Sequence, residues 1–360
     1  MVVPLTGPFS ALGTGDQEAA LRVVDEINAA GGIDGRPIEL TIVDDKTDPT
    51  ESVKQFNQLA SDPSYSAMLA SAMVSAAAAV GSSIEQYAIP TIALSPVEEY
   101  ADGSNAYAYT SPPTPSVYAQ ALVDYWVDSG VETLAMTYSG GDLFGQLGQE
   151  STAALAEEAG IDLVLNEAYD PAATDFTPLV TKVADAAPDA FVIWGAGPGP
   201  VIITKQMEGR GIQLYGTGAQ ASNLFLDPAG SAAEGMMAAT TAAMAGESLP
   251  DGAYKDAVMA VVDPWLADND GVYPPEFAFG GASAVQLLAA AIDAADSTDR
   301  EAINAQLTEL ELLTPNGQYS YTPSDHMGLT VDALAIMIVD GGVWAPTPYA
   351  LEKFATDLPE

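Results

Sequence analysis

An α/β fold of parallel sheets covered by helices is predicted by three observations. Residues 1–49 compose one βαβ unit with its turn residues in place. Strand-like and helical runs then alternate to about residue 240, as they do when parallel strands are joined by crossover helices. A Ser111-Pro112-Pro113-Thr114-Pro115 stretch breaks the alternation early; its prolines cannot continue a sheet, so two doubly wound lobes fit better than one large sheet.

Taken in order, Val2-Val3 opens the first strand, and Thr6-Gly7-Pro8 and Gly13-Thr14-Gly15-Asp16 supply turns. Ala19, Ala20, Val23, Val24 and Ile27 recur at helical spacing, which gives one apolar face. Asp16 is expected to cap that helix, and Gly31-Gly32 to end it. Ile38, Leu40 and Ile42 alternate with Glu39 and Thr41, predicting a strand over 38–43. Asp48, Pro49 and Glu51 read as N-cap, first helical residue and capping-box acid. Further strands are expected at 67–70, 91–94, 134–138, 161–165, 190–194 and 213–215. Helices are expected at 50–60, 76–87, 116–127, 143–158, 176–186 and 200–210. After Gly246 the pattern turns helical, at 254–266, 277–294 and 300–310, and closes with strands at 318–321 and 333–339.

Composition excludes several functions. The chain has 360 residues, 48% of them hydrophobic, enough to build two cores. No run is read as long and uninterrupted enough to span a bilayer. Fifty Asp+Glu against 10 Lys+Arg give a formal charge of −40, a surface that repels nucleic acid and anionic lipid. Such an acidic, lysine-poor surface suits high salt, where ions screen self-repulsion. Recruitment of cationic ligands is the alternative, weakened because the acids are spread along the whole chain. With no cysteine there is neither disulfide nor thiolate chemistry. The opening Met1-Val2-Val3 lies almost inside the first strand; a trimmed chain with an added methionine is expected, any leader or lipid-anchor cysteine lying upstream.

No catalytic constellation is found, and the chain is expected not to be an enzyme. His326 is the one histidine; it reads as a turn residue, and no Gly-x-Ser-x-Gly elbow presents a serine to it. Zinc needs several His or Cys, so no metal or other cofactor is expected. Phosphate-loop spacing is missing, and Gly-Thr-Gly at 13–15 lacks the third glycine of a dinucleotide loop, reading instead as a tight turn.

Binding without chemistry remains. In open α/β sheets a ligand lies beyond the carboxyl ends of the strands, beside helix N-termini. Those positions are Leu12 and its neighbours, 71–75 and 95–99 in one lobe, with 140–144, 194–199 and 217–220 in the other. Glycine and serine dominate them, so a ligand can approach the backbone closely.

Thr6-Gly7-Pro8, Asn28 to Gly35 and Asp44 to Pro49, in this order and spacing, resemble the opening of the type I solute-binding proteins of the leucine/isoleucine/valine-binding class. Ala233-Glu234-Gly235 and the Tyr321-Thr322-Pro323-x-Asp325-His326-x-Gly328 ending are similar to that family as well. The resemblance implies three hinge crossings. Lobe one is then 1–114 plus 247–317, and lobe two 115–246 plus 318–360. It implies the extracytoplasmic binding component of an ABC importer, monomeric and periplasmic or extracellular, working with membrane permease and ATPase subunits; a ligand sensor of the same fold is the alternative.

The resemblance also implies site residues. Ser75, or Val74 with a one-residue shift, matches a ligand-binding serine, and Ser95 matches a Ser/Thr-Pro pair. Val97 and Glu98 stand where small residues are usual, Phe144 replaces a tyrosine, and Leu12 replaces an aromatic. The usual acid of lobe two falls at Gly218, Ala219 or Gln220, none of them acidic. Met73, Trp194 and Gly197 complete the expected lining, with Met73 and Trp194 equally readable as core. The expected ligand is a small, largely apolar or aromatic solute, an amide or an amino acid; because a buried ammonium without an acid partner is costly, the less polar solute or amide is favoured.

Overall fold

The computed structural model describes residues 1–358 and divides into two compact units, Met1–Thr114 with Gly252–Leu329 and Pro115–Asp251 with Thr330–Leu358. The chain therefore passes between units three times. The first passage follows Thr114. The second and third follow Asp251 and Leu329, later than the expected 246 and 317.

The first unit opens with β1 (Val2–Val3), α1 (Ser10–Ala29), β2 (Val43–Asp44), α2 (Pro49–Ala60), β3 (Met68–Ala70), α3 (Val74–Ala79), α4 (Gly81–Tyr87), β4 (Thr91–Ala93), α5 (Glu98–Ala101) and β5 (Ala108–Thr110). The second unit follows with α6 (Pro115–Ser129), β6 (Thr133–Ser139), α7 (Leu143–Ala159), β7 (Asp162–Tyr169), α8 (Thr177–Ala186), β8 (Ala190–Trp194), α9 (Pro198–Met207), β9 (Gln213–Thr217), α10 (Asn223–Ala229) and β10 (Met237–Thr241). The chain returns to the first unit for α11 (Ala253–Asp268), α12 (Glu276–Ala295), α13 (Arg300–Leu307), β11 (Glu311–Thr314) and β12 (Gly317–Ser320). It ends in the second with β13 (Leu334–Asp340), β14 (Val343–Pro346) and α14 (Pro348–Asp357).

In the first unit β1 pairs with β2, and β3 with β4 and β5, all in parallel. Of the expected 38–43 strand only Val43 is paired, with Asp44 following it, because their partners are the two residues of β1. Residues 38–40 instead line a cavity of about 350 Å³ with Val24, Met68 and Leu288. The helix expected over 76–87 is two, parted at Val80.

Asp16 is not a cap. The first helix begins at Ser10, after Phe9, and Asp16 lies inside it, fully buried. Gly13 and Gly15 are close-contact positions rather than a turn: a Cβ at 13 would strike the Pro4 backbone, and one at 15 the Phe277 ring of α12. Helix α12 is itself long and apolar enough to cross a membrane by length and composition, contrary to the sequence reading. With 67% of its apolar window buried, it is the core helix of this unit.

The second unit holds a seven-stranded sheet in the order β14-β13-β10-β9-β8-β6-β7. From β7 to β10 neighbours are parallel; β13 runs antiparallel to both β10 and β14. The expected all-parallel lobe is thus a mixed sheet whose antiparallel edge is supplied by the returning segment. One face buries Phe191, Ile193 and Leu214 against Val180, Ile203 and Phe225.

The third passage comes late because β12 belongs to the first unit. It forms a hairpin with β11. The Tyr319 hydroxyl donates to Ser111 O, and the Tyr321 hydroxyl donates to Thr110 O at 3.0 Å.

Candidate functional site

In each unit the parallel strands end at one edge, and the expected site residues follow those ends. In the first unit a relay of polar groups runs across the edge. Asp45 Oδ2 accepts from Ser71 Oγ at 2.6 Å, Ser95 Oγ donates to Ser71 O at 2.8 Å, and Thr110 Oγ1 donates to Ser95 O at 3.0 Å. Asp44 binds the turn after β1, accepting from Leu5 N at 2.9 Å and from Thr6 Oγ1 at 2.6 Å. The Asp44-Asp45-x-x-Asp48 pattern therefore holds loops in place: Asp48 caps α2 by accepting from Thr50 N at 2.7 Å.

Electrostatics differ between the paired acids. Burial works against the Asp44 carboxylate, but donors from Thr6, Lys46 and Leu5 outweigh it and hold its pKa below its ordinary value. For Asp45 burial prevails over the Ser71 and Thr47 donors and pushes the pKa up.

The expected residues of this unit separate into two groups. Ser95 is 1% exposed with its hydroxyl proton committed to Ser71, so its side chain is a structural brace. Met73, Val74 and Val97 are buried apolar packing. Leu12, Ser75 and Glu98 are half-buried. Ser75 is the second residue of α3, whose N-cap, Met73, provides no side-chain acceptor.

In the second unit Asp142 caps α7, accepting from Phe144 N at 3.2 Å. Burial raises the Asp142 pKa against the opposing pull of the Phe144 and Gly145 N–H groups. Phe144 lies edge-on to Tyr118 at 6.4 Å and tilted to Trp194 at 5.4 Å. Trp194 is fully buried and packs on Gly148, where any Cβ would strike its ring. It is a core residue, one of the two alternatives left open by the sequence.

Gly197 is exposed and precedes α9 with φ +81°. Ala219 is half-buried. Gln220 is 1% exposed, and both polar atoms of its amide are bonded: Nε2 donates to Gly195 O at 2.6 Å and Oε1 accepts from Thr217 N at 2.9 Å. It fastens two turns together rather than projecting from them.

Sequence reasoning missed Tyr169 and Asp142. Tyr169 lies beneath the Gly195–Gly199 turn: a Cβ at Gly195 would strike its hydroxyl and one at Gly199 its ring. The signal was present in those two glycines, but the partner they make room for is far away in sequence. Among the described residues no group of three or more His, Cys, Asp or Glu could hold a metal ion.

The family model described as periplasmic binding protein matches residues 1–342. A Leu/Ile/Val-binding protein homolog 1 of Brucella suis is 25% identical over 328 residues, spanning 85% of this chain and 81% of that protein. Among solved structures, the branched-chain amino acid transporter substrate-binding protein LivJ of Streptococcus pneumoniae, in complex with isoleucine, superposes with a TM-score of 0.84 at 22% identity, covering 95% of this chain and 96% of that one. A solute-binding protein from R. palustris, in complex with benzoate, gives 0.81 at 18% identity, covering 96% and 93%. At these identities the two structures establish the shared fold.

Proposed function

Because this chain belongs to the periplasmic binding protein family, whose members bind substrates and do not transform them, we propose that it is the extracytoplasmic solute-binding component of an ABC importer. A small solute is held between its two lobes and closes them by a hinge motion. The closed form is recognised by permease and ATPase subunits in the membrane. The protein works in the periplasm or outside the cell, with a lipid anchor in a segment upstream as a further part of the proposal.

The solute is largely apolar or aromatic, or an amide, in preference to an α-amino acid. One observation carries this: the turn where an ammonium-binding acid is usual has Gly218, Ala219 and Gln220, and both polar atoms of Gln220 are bonded to Gly195 and Thr217. That turn has no side chain left to neutralise an ammonium. Leu12 and Phe144 supply apolar surface at strand ends, as small-molecule sites do. We propose also that the −40 charge adapts the surface to high salt.

The test is mass spectrometry of solute released from purified, denatured protein, followed by calorimetry with benzoate and isoleucine. Recovery of an aromatic acid or amide is expected. Recovery of leucine, isoleucine or valine would overturn the assigned solute class, and absence of binding to any candidate would overturn the transport reading.

A further inference from the structure

His326, 1% exposed, sits in the turn after β12 that leads to Leu329, where the chain leaves the first unit. Three of its groups reach two elements, α5 and β5. Its N–H donates to Ala101 O at the end of α5 at 2.8 Å, and its carbonyl accepts from Thr110 N in β5 at 3.1 Å. Its ring Nδ1 lies 2.8 Å from Ala108 O. A carbonyl only accepts, so Nδ1 carries the proton and Nε2 is bare in the neutral ring.

The surroundings fix that ring. It stacks on Tyr109 at 4.2 Å and 15°, and Tyr109 packs against Tyr321 at 5.0 Å. Gly103, at φ +70°, closes over it: a Cβ there would strike Pro323 O and come within 3.3 Å of Nε2. Asp325 Oδ1 holds the turn, accepting from Met327 N at 3.0 Å and Gly328 N at 2.9 Å. Met327 Sδ accepts from Thr114 N at 3.4 Å, and Thr114 is the last residue before the first passage.

We infer that His326 is a positioning residue for solute binding. It locks α5, which starts at Glu98 directly after the 95–97 turn, to the two segments that leave the first unit at Thr114 and Leu329. The inference rests on the solute-binding reading above. The neutral ring suits this pocket, since a proton on Nε2, although the Asn105 backbone would accept it, places charge in a buried position. The charged groups facing the ring are Asp325 and Asp102, which favour that proton; Tyr109 and Tyr321 are the neighbouring phenols. Burial outweighs the Ala108 carbonyl, the two carboxylates and the Asn105 backbone acceptor, and keeps the imidazole pKa below its ordinary value of 6.5. The unfolded or opened segment therefore takes up a proton first as pH falls below 6.5. Opening grows with acidity, by up to about tenfold per pH unit.

The test compares hydrogen exchange of residues 98–110 and 321–329 at pH 8 and pH 5, corrected for intrinsic rates, in the wild-type protein and in His326→Asn. The asparagine Nδ2 can replace the donor to Ala108 without ionising. In the wild type both segments should lose protection together at pH 5, and His326→Asn should flatten that loss. Calorimetry with benzoate and isoleucine at both pH values should show wild-type affinity falling in parallel. Protection independent of pH in the wild type, or unchanged pH dependence in the variant, would overturn the inference. Should His326→Asn not fold, His326→Gln, also unable to ionise, is read in its place with the same two outcomes. Should neither solute bind at any pH, the solute assignment fails while exchange still decides whether the lock exists.

Discussion

The Gln220 side-chain amide donates to the Gly195 carbonyl at 2.6 Å, joining the turn after β9 to the turn after β8. Both groups are buried, and the same amide accepts from Thr217 N. Truncation leaves two backbone groups without partners. Gln220→Ala should lower unfolding free energy by about 1–3 kcal/mol, read by urea titration, and should weaken solute binding because the two turns separate. A stability loss within error would show that water replaces the amide.

Phe144 was expected, from the resemblance, as a residue of the site. At 8% exposure, between Tyr118 and Trp194, it also packs the second unit. Phe144→Ala should therefore cost about 3–5 kcal/mol as well as affinity. Phe144→Leu, nearer in volume, should cost less than about 1.5 kcal/mol; affinity for an aromatic solute should still fall, separating contact from packing. Full affinity in the leucine variant would remove Phe144 from the site.

Asp16 carries a fully buried carboxyl with no hydrogen-bond partner for either oxygen. Burial raises its pKa well above 3.8, so the folded protein holds a proton that the unfolded chain releases. Its contribution is most favourable below pH 3.8 and is lost as pH rises through the folded value. Asp16→Asn removes the ionisation. It should raise the melting temperature at pH 7 relative to wild type, with the difference shrinking toward pH 4. An equal difference at both pH values would mean that Asp16 is charged in the fold.

Arg300 binds four backbone carbonyls, donating to Ala60, Asp62, Tyr65 and Tyr87 at 2.9–3.1 Å. One of only ten cations thus closes the ends of α2 and α4. Arg300→Lys loses the planar fork that reaches several acceptors and should destabilise by about 1–3 kcal/mol, measured by thermal melts. An unchanged melt would place these bonds at the solvated surface in energetic terms.

Charge repulsion is a separate lever. With a formal −40, and Lys54–Glu51 and Lys182–Glu167 among the ion pairs that offset it, the melting temperature should rise from dilute buffer to molar NaCl as screening grows. Indifference to salt across that range would remove the high-salt proposal.

Local signals carried the alternation, the βαβ opening and the first passage after Thr114, because period, caps and prolines act within a few residues. The seven-stranded sheet was less legible. Strand β10, Met237–Thr241, is largely alanine and threonine; it has little alternation of its own and is a strand because β9 and β13 flank it. Asp16 looked like a cap for the same reason in reverse: a short acid after glycine resembles a helix start unless α12 is known to press on Gly15 through Phe277 and on Asp16 at Gly281.

The candidate site followed the same division. Strand periodicity located the turns at 71–75, 95–99, 140–144, 194–199 and 217–220. Which side chains stay available to a solute depended on partners far along the chain: Ser95 is bound to Ser71, Gln220 to Gly195, and Trp194 lies under Gly148. Chain order fixes where a strand ends, since that is local geometry. Only the packed units decide how each polar atom at that end is satisfied, because a hydrogen bond is spent on whichever partner the fold brings within 3 Å.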